Sequence, residues 1–86
     1  MLFRSQNNPN PFREQTHVTF SLPQESDFIF TVTDLGGRVV KQLQNHYMSG
    51  VYDITLDRAS LGASGIYCYK IETANGVYVN KMMLID

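Results

Sequence analysis

The sequence predicts an all-β domain, an antiparallel β-sandwich of six or seven short strands, on three observations. Turn-forming pairs recur about every ten to fifteen residues, apolar side chains alternate with polar ones between them, and the β-branched and aromatic content is high. The turn marks are Pro9-Asn10-Pro11, Leu22-Pro23, Gly36-Gly37, Ser49-Gly50, Ser64-Gly65 and Asn75-Gly76. No stretch longer than a single turn reads as helix.

Residues 1–12 read as a leading linker, in which pairing by Leu2 to Arg4 would supply the seventh strand. Pro9 and Pro11 have fixed φ and no N–H, so they keep this segment extended rather than helical, and Phe12 can anchor it on the sandwich. The first alternating strand turns Val18, Phe20 and Leu22 inward and leaves Thr19 and Ser21 to water; the second turns in Phe28, Phe30 and Val32 between Thr31 and Thr33. Gly36-Gly37 joins it to the third segment, and Leu35 just before that turn is expected to tuck into the core. Val39-Val40-Lys41-Gln42-Leu43 breaks the alternation, as an edge strand or a bulged one does. The polar stretch Gln44-Asn45-His46 follows.

Tyr52, Ile54 and Leu56 alternate with Asp53 and Thr55, after which Asp57-Arg58-Ala59-Ser60-Leu61 has room for one helical turn. Tyr67, Tyr69 and Ile71 form the next inward row, with Lys70 and Glu72 outward. Asn75-Gly76 then predicts a hairpin into Val77 to Ile85, since a two-residue primed turn needs positive φ at both central positions. Gly37, Gly50 and Gly65 stand where a positive φ or a close approach would cost a Cβ about 1 kcal/mol. Short strands, regular turns and sequential hairpins together indicate an immunoglobulin-like sandwich, with a small barrel as the structural alternative.

Size and composition narrow the function. Eighty-six residues allow one domain, 1–86, with one modest core, and 43% hydrophobic residues are enough to fill it. A net charge of -1 gives no general electrostatic grip on nucleic acid or anionic membrane. No run approaches the roughly 20 apolar residues of a membrane helix, so direct membrane insertion is not expected, and Met1-Leu2-Phe3-Arg4 does not continue as an export signal would. Cys68 has no second cysteine with which to pair or build a thiolate zinc site.

The residues that could carry chemistry do not assemble a known pattern. His17 and His46 share no ligand spacing and read as solvent-facing, with no carboxylate cluster beside either in the sequence. Asp27, Asp34, Asp53, Asp57 and Asp86 fall near strand ends, where turn capping is the expected role and a weak calcium site the alternative. Cys68 lies within an apolar strand and reads as a structural thiol. Ser64-Gly65 lacks a nucleophile elbow, and no glycine cluster opens a helix to hold phosphate. No catalytic residue, metal ligand or cofactor is expected.

The C-terminal run Lys81-Met82-Met83-Leu84-Ile85 places four apolar residues in a row where a one-sided strand needs every second one. Either a neighbouring loop buries the strand on both faces or its outer face awaits another protein. A terminal edge strand would also offer unpaired backbone groups for strand addition.

Read in order, these segments resemble the C-terminal sorting domain of proteins exported by the bacterial type IX secretion system. The resemblance runs through Asn7-x-Pro9-Asn10-Pro11-Phe12, Val18-Thr19-Phe20-Ser21-Leu22-Pro23 and Val32-Thr33-Asp34-Leu35-Gly36-Gly37-Arg38-Val39-Val40. It continues through Ser49-Gly50-Val51-Tyr52, Leu56-Asp57, Leu61, Ser64-Gly65-Ile66-Tyr67 and Lys81-Met82-Met83-Leu84-Ile85. Thr33, Gly36 and Leu56 depart from the family pattern, and a related immunoglobulin-like module such as that of flagellar hook-capping proteins shares part of it. The resemblance implies a non-catalytic domain that directs a fused N-terminal passenger across the outer membrane to the cell surface or medium. It implies as partners the outer-membrane translocon and a sortase-like protease. By position it assigns recognition to Lys81, Met82, Met83, Leu84 and Ile85, and structural roles to Asn7, Pro9, Asn10, Pro11, Phe12, Gly37, Gly50, Leu61, Gly65 and Tyr67. The competing reading is an accessory binding or adhesion module for carbohydrate or protein, using Tyr47, Tyr52, Tyr67, Tyr69 and Tyr78, although no Trp offers a broad stacking platform.

Overall fold

The structure, a computed structural model, describes residues 7–86. Seven strands and one helical turn follow in order: β1 (Asn7–Asn8), β2 (Gln15–Leu22), β3 (Ser26–Asp34), β4 (Val39–Tyr47), β5 (Gly50–Asp57), α1 (Arg58–Leu61), β6 (Gly65–Thr73) and β7 (Gly76–Leu84). They make two antiparallel sheets, one ordered β1-β2-β5 and the other β4-β3-β6-β7. The predicted sandwich is therefore observed. The seventh strand is the two-residue β1, whereas the expected pairing of Leu2 to Arg4 lies outside the described residues.

Alternation sets the faces, because successive side chains of a strand point to opposite sides. In β2 and β5 the inward pairs Thr16 with Leu56 and Val18 with Ile54 lie directly across from each other. The facing layer supplies Phe28, Phe30 and Val32 from β3 and Tyr67, Tyr69 and Ile71 from β6. Phe20 and Phe28 stack between the sheets with ring centroids 4.4 Å apart. Fully burying side chains of this size stabilises a domain by about 1.5–3 kcal/mol each.

The connection from β5 to β6 is held by polar groups. Asp57 caps α1, accepting from the Ser60 N–H at 2.9 Å and the Ser60 hydroxyl at 2.8 Å. The Ser60 hydroxyl first, and its N–H second, hold the Asp57 carboxyl below its ordinary range. Leu61 is buried, and the Tyr67 hydroxyl reaches back to the carbonyls of Ala63 (2.5 Å) and Leu61 (3.4 Å). That is the tyrosine corner of immunoglobulin-like sandwiches, and it explains why Leu61 and Tyr67 go together.

Four local expectations are corrected. Leu35 is exposed, because Asp34 organises the turn by accepting from the N–H groups of Gly36 and Arg38, which leaves Leu35 at its outer corner. Gly37 takes φ 86° there, and open space surrounds the site, so only its backbone freedom is needed. The β6–β7 connection is Ala74-Asn75, flanked by the paired Thr73 and Gly76. The predicted hairpin forms, but among the described residues none other than glycine has positive φ, so at this turn only Gly76 takes it and the turn is not the primed Asn-Gly type. Strand β4 is both an edge and bulged opposite Val32/Thr33, as anticipated, but it runs on through His46 to Tyr47. Lastly, Thr31 is buried and accepts from the Gln42 side chain at 3.1 Å.

Candidate functional site

Strand β7 is the outer strand of the four-stranded sheet and pairs with β6 from Gly76 to Leu84. Its period divides the predicted recognition residues into two sets. Met82 and Leu84 are 1% exposed and belong to the core, while Lys81 and Met83 point outward and Ile85 is half-buried. Of the five, only Lys81, Met83 and Ile85 have side-chain surface open to solvent on the folded domain. Met82 and Leu84 fix the strand on which those three are displayed.

The leading segment does more than approach the sandwich. The Asn8–Pro9 and Asn10–Pro11 peptides are cis, and residues 7–13 pass from the edge of one sheet to the edge of the other. Asn7 is buried and its side-chain amide donates to Thr16 Oγ1 at 3.2 Å and to the Pro9 carbonyl at 3.3 Å. Phe12, 2% exposed, sits in the core and bridges Leu84 in parallel. The segment is thus folded onto the domain rather than held as an extended linker.

This contact closes part of an edge that the sequence reading left unpaired. Phe12 donates its N–H to the Met83 carbonyl at 3.0 Å and accepts from the Ile85 N–H at 2.9 Å. Pro11 has no N–H to continue the ladder, and the Asn10 side chain substitutes for it. Its oxygen accepts from the Met83 N–H at 2.9 Å and its amide donates to the Lys81 carbonyl at 3.4 Å. Backbone groups turned outward from β7 between Lys81 and Ile85 are satisfied in this way. Beside the contact lies an apolar groove of about 280 Å³ lined by Asn10, Pro11, Ile66, Lys81, Met82 and Met83.

Arginines staple the end of the strand. Arg58 donates to the carbonyls of Arg13 (2.9 Å) and Ile85 and lies 3.5 Å from the Asp86 carboxylate, while Arg13 donates to the Asp86 carbonyl. The Ser64 hydroxyl adds a contact to Asp86 at 3.4 Å. The one-turn helix, the leading segment and the last residues meet at this corner.

Other candidate chemical groups lie elsewhere. His46 faces carboxylates after all, since strand register puts it opposite Asp27 and the preceding turn brings Glu25 to its other side. Its ring nitrogens lie 2.7 Å from Asp27 and 2.6 Å from Glu25, and Asp27 first, then Glu25, raises its pKa. Both nitrogens must donate to carboxylates, which favours the imidazolium. His17 likewise contacts Asp53 across strands at 3.2 Å. Among the described residues no three His, Cys, Asp or Glu side chains are grouped so as to hold a metal. Cys68 is half-buried on the outer face of its sheet, opposite Lys81. Tyr67 and Tyr69 are buried, and Tyr47, Tyr52 and Tyr78 pack against the core, so the tyrosines make no flat stacking platform.

A sequence profile of the secretion system C-terminal sorting domain matches residues 8–85. No curated protein matches the chain. Among solved structures, dimeric latent PorU from Porphyromonas gingivalis is similar with a TM-score of 0.74 and 20% identity, over 98% of this chain and 9% of that one. A β-glucosidase from Listeria innocua, solved with glucose, is similar with a TM-score of 0.53 and 10% identity, over 99% of this chain and 16% of that one. At such identities the structural likeness is one of fold, and this chain spans a small part of either protein.

Proposed function

This chain belongs to the secretion system C-terminal sorting domain family of type IX secretion, and we propose that it acts as a folded, non-catalytic export tag for a passenger fused ahead of it. Such a domain implies a protein that is secreted or attached to the cell surface through that system. In this reading the outer-membrane translocon docks on the outward face of β7, the passenger crosses the outer membrane, and a sortase-like protease separates the two.

The observation that supports the reading best is the division of labour along β7. A strand anchored by Met82 and Leu84 presents Lys81 and Met83 at an apolar groove, with the half-buried Ile85 just beyond them. A cation beside exposed apolar side chains suits protein recognition better than small-molecule chemistry.

Deleting residues 81–86 would confound recognition with folding, since it removes two core side chains and the arginine staples. The sharper test fuses residues 1–86 to an inert reporter in a Bacteroidetes host and changes Lys81, Met83 and Ile85 together to serine. The expected result is a folded fusion retained in the periplasm. Export at the unaltered level would reject docking on the outward face of β7, and failure of the unaltered fusion to leave the periplasm would reject the export-tag reading.

A further inference from the structure

We infer that residues 10–12 form a strap, supplied in cis, that closes the edge of β7, and that lifting it from the folded sandwich opens residues 81–85 to an added strand supplied in trans. The use of this device rests on the sorting reading above; its geometry does not.

Two observations make the strap separable from the body. First, β7 does not depend on it, being paired with β6 along its whole length and anchored by Met82 and Leu84. Second, the strap is held by one buried side chain, Phe12, two backbone hydrogen bonds and the exposed Asn10 side chain acting in place of a missing peptide N–H. Pairing that depends on a solvent-exposed amide opens more readily than a ladder within the sheet.

The occupant is defined by what already lies there. It is an extended segment running parallel to β7 with an aromatic residue where Phe12 sits, donating to the Met83 carbonyl and accepting from the Ile85 N–H. The strap's own sequence presented in trans meets that description. Because the strap follows β1 on the N-terminal side of the sandwich, tension in a fused passenger would reach it once Asn7 and Asn8 part from β2. The edge would stay protected against stray strand addition until then.

Amide hydrogen exchange on the full 86-residue chain tests this, followed by binding of a fluorescent peptide spanning residues 7–13. The Met83 and Ile85 amides, bonded to the strap, should exchange at least about 100-fold faster than Tyr69 and Ile71 in the centre of the sheet. Asn10→Ala should speed Met83 exchange about another tenfold, leave Tyr69 unchanged and allow the peptide to bind. Phe12→Ala should do the same more strongly if it folds. Exchange of Met83 and Ile85 at the rate of Tyr69 in the unaltered chain would overturn the inference, as would an Asn10→Ala domain with unchanged Met83 exchange and no peptide binding. Unimpaired export of the serine-substituted fusion would reject recognition through the outward face of β7, and failure of the unaltered fusion to be exported would reject the sorting role; either leaves the exchange result standing.

Discussion

Adjacent methionines on β7 offer a direct separation of anchoring from display. Met82 is 1% exposed inside the sandwich, whereas Met83 is 40% exposed on the outer face. Met82→Ala leaves a cavity among packed side chains and should cost about 2–5 kcal/mol. A domain of this length is stable by about 4–13 kcal/mol in total. At about 4–8 °C per kcal/mol, the melting temperature should fall by roughly 8–40 °C. Met83→Ala loses only part of a side chain's burial and opens no enclosed void, so about 0.5–1 kcal/mol and a shift of about 5 °C are expected. Urea unfolding followed by tyrosine fluorescence, with matched thermal melts, measures both. Equal losses, or a larger loss at Met83, would refute the assignment of faces along β7.

Tyr67→Phe removes the hydroxyl that ties β6 to the Ala63 carbonyl and should cost about 1–2 kcal/mol in urea unfolding. Asp57→Ala should lower stability at neutral pH. The Asp57 carboxyl titrates below its ordinary value, so its contribution is present above about pH 4 and vanishes as pH falls through the folded-state value. Melts of the two proteins should therefore converge at low pH. His46 behaves in the opposite sense. Asp27 and Glu25 raise its pKa, so its contribution is complete below the ordinary histidine value and is lost as pH rises through the raised one. The stability gap between the unaltered domain and His46→Gln should be wider at pH 5.5 than at pH 8.5, with the His46 titration followed by NMR.

Most of the sandwich was legible because a period of two is a local property. Val18, Phe20, Phe28, Phe30, Tyr67, Tyr69 and Ile71 could be assigned inward without knowing any partner, and all are buried. The same period, carried through to residue 85, separates Met82 and Leu84 from Lys81, Met83 and Ile85, whereas the apolar run alone grouped all five. Turns were harder, since their form depends on side chains competing for the backbone. Asp34 turned Leu35 outward, and Gly76 alone took the positive φ that had been expected of Asn75 as well. Least legible were contacts made by distant residues. Asn10 meets the backbone of a strand more than seventy residues away, and His46 meets Asp27 through strand register and Glu25 through the turn before β3. The asparagine and proline motif announced that the segment mattered without revealing that it closes an edge.

The most direct test of recognition through the outward face of β7 is a photo-crosslink made during export. A photoreactive amino acid at residue 83 of a reporter fusion should give a discrete adduct with an outer-membrane component in exporting cells. The same probe at residue 51, exposed on strand β5 of the other sheet, should give none. An adduct from residue 51 and none from residue 83 would show that the machinery grips the domain elsewhere and would contradict the account.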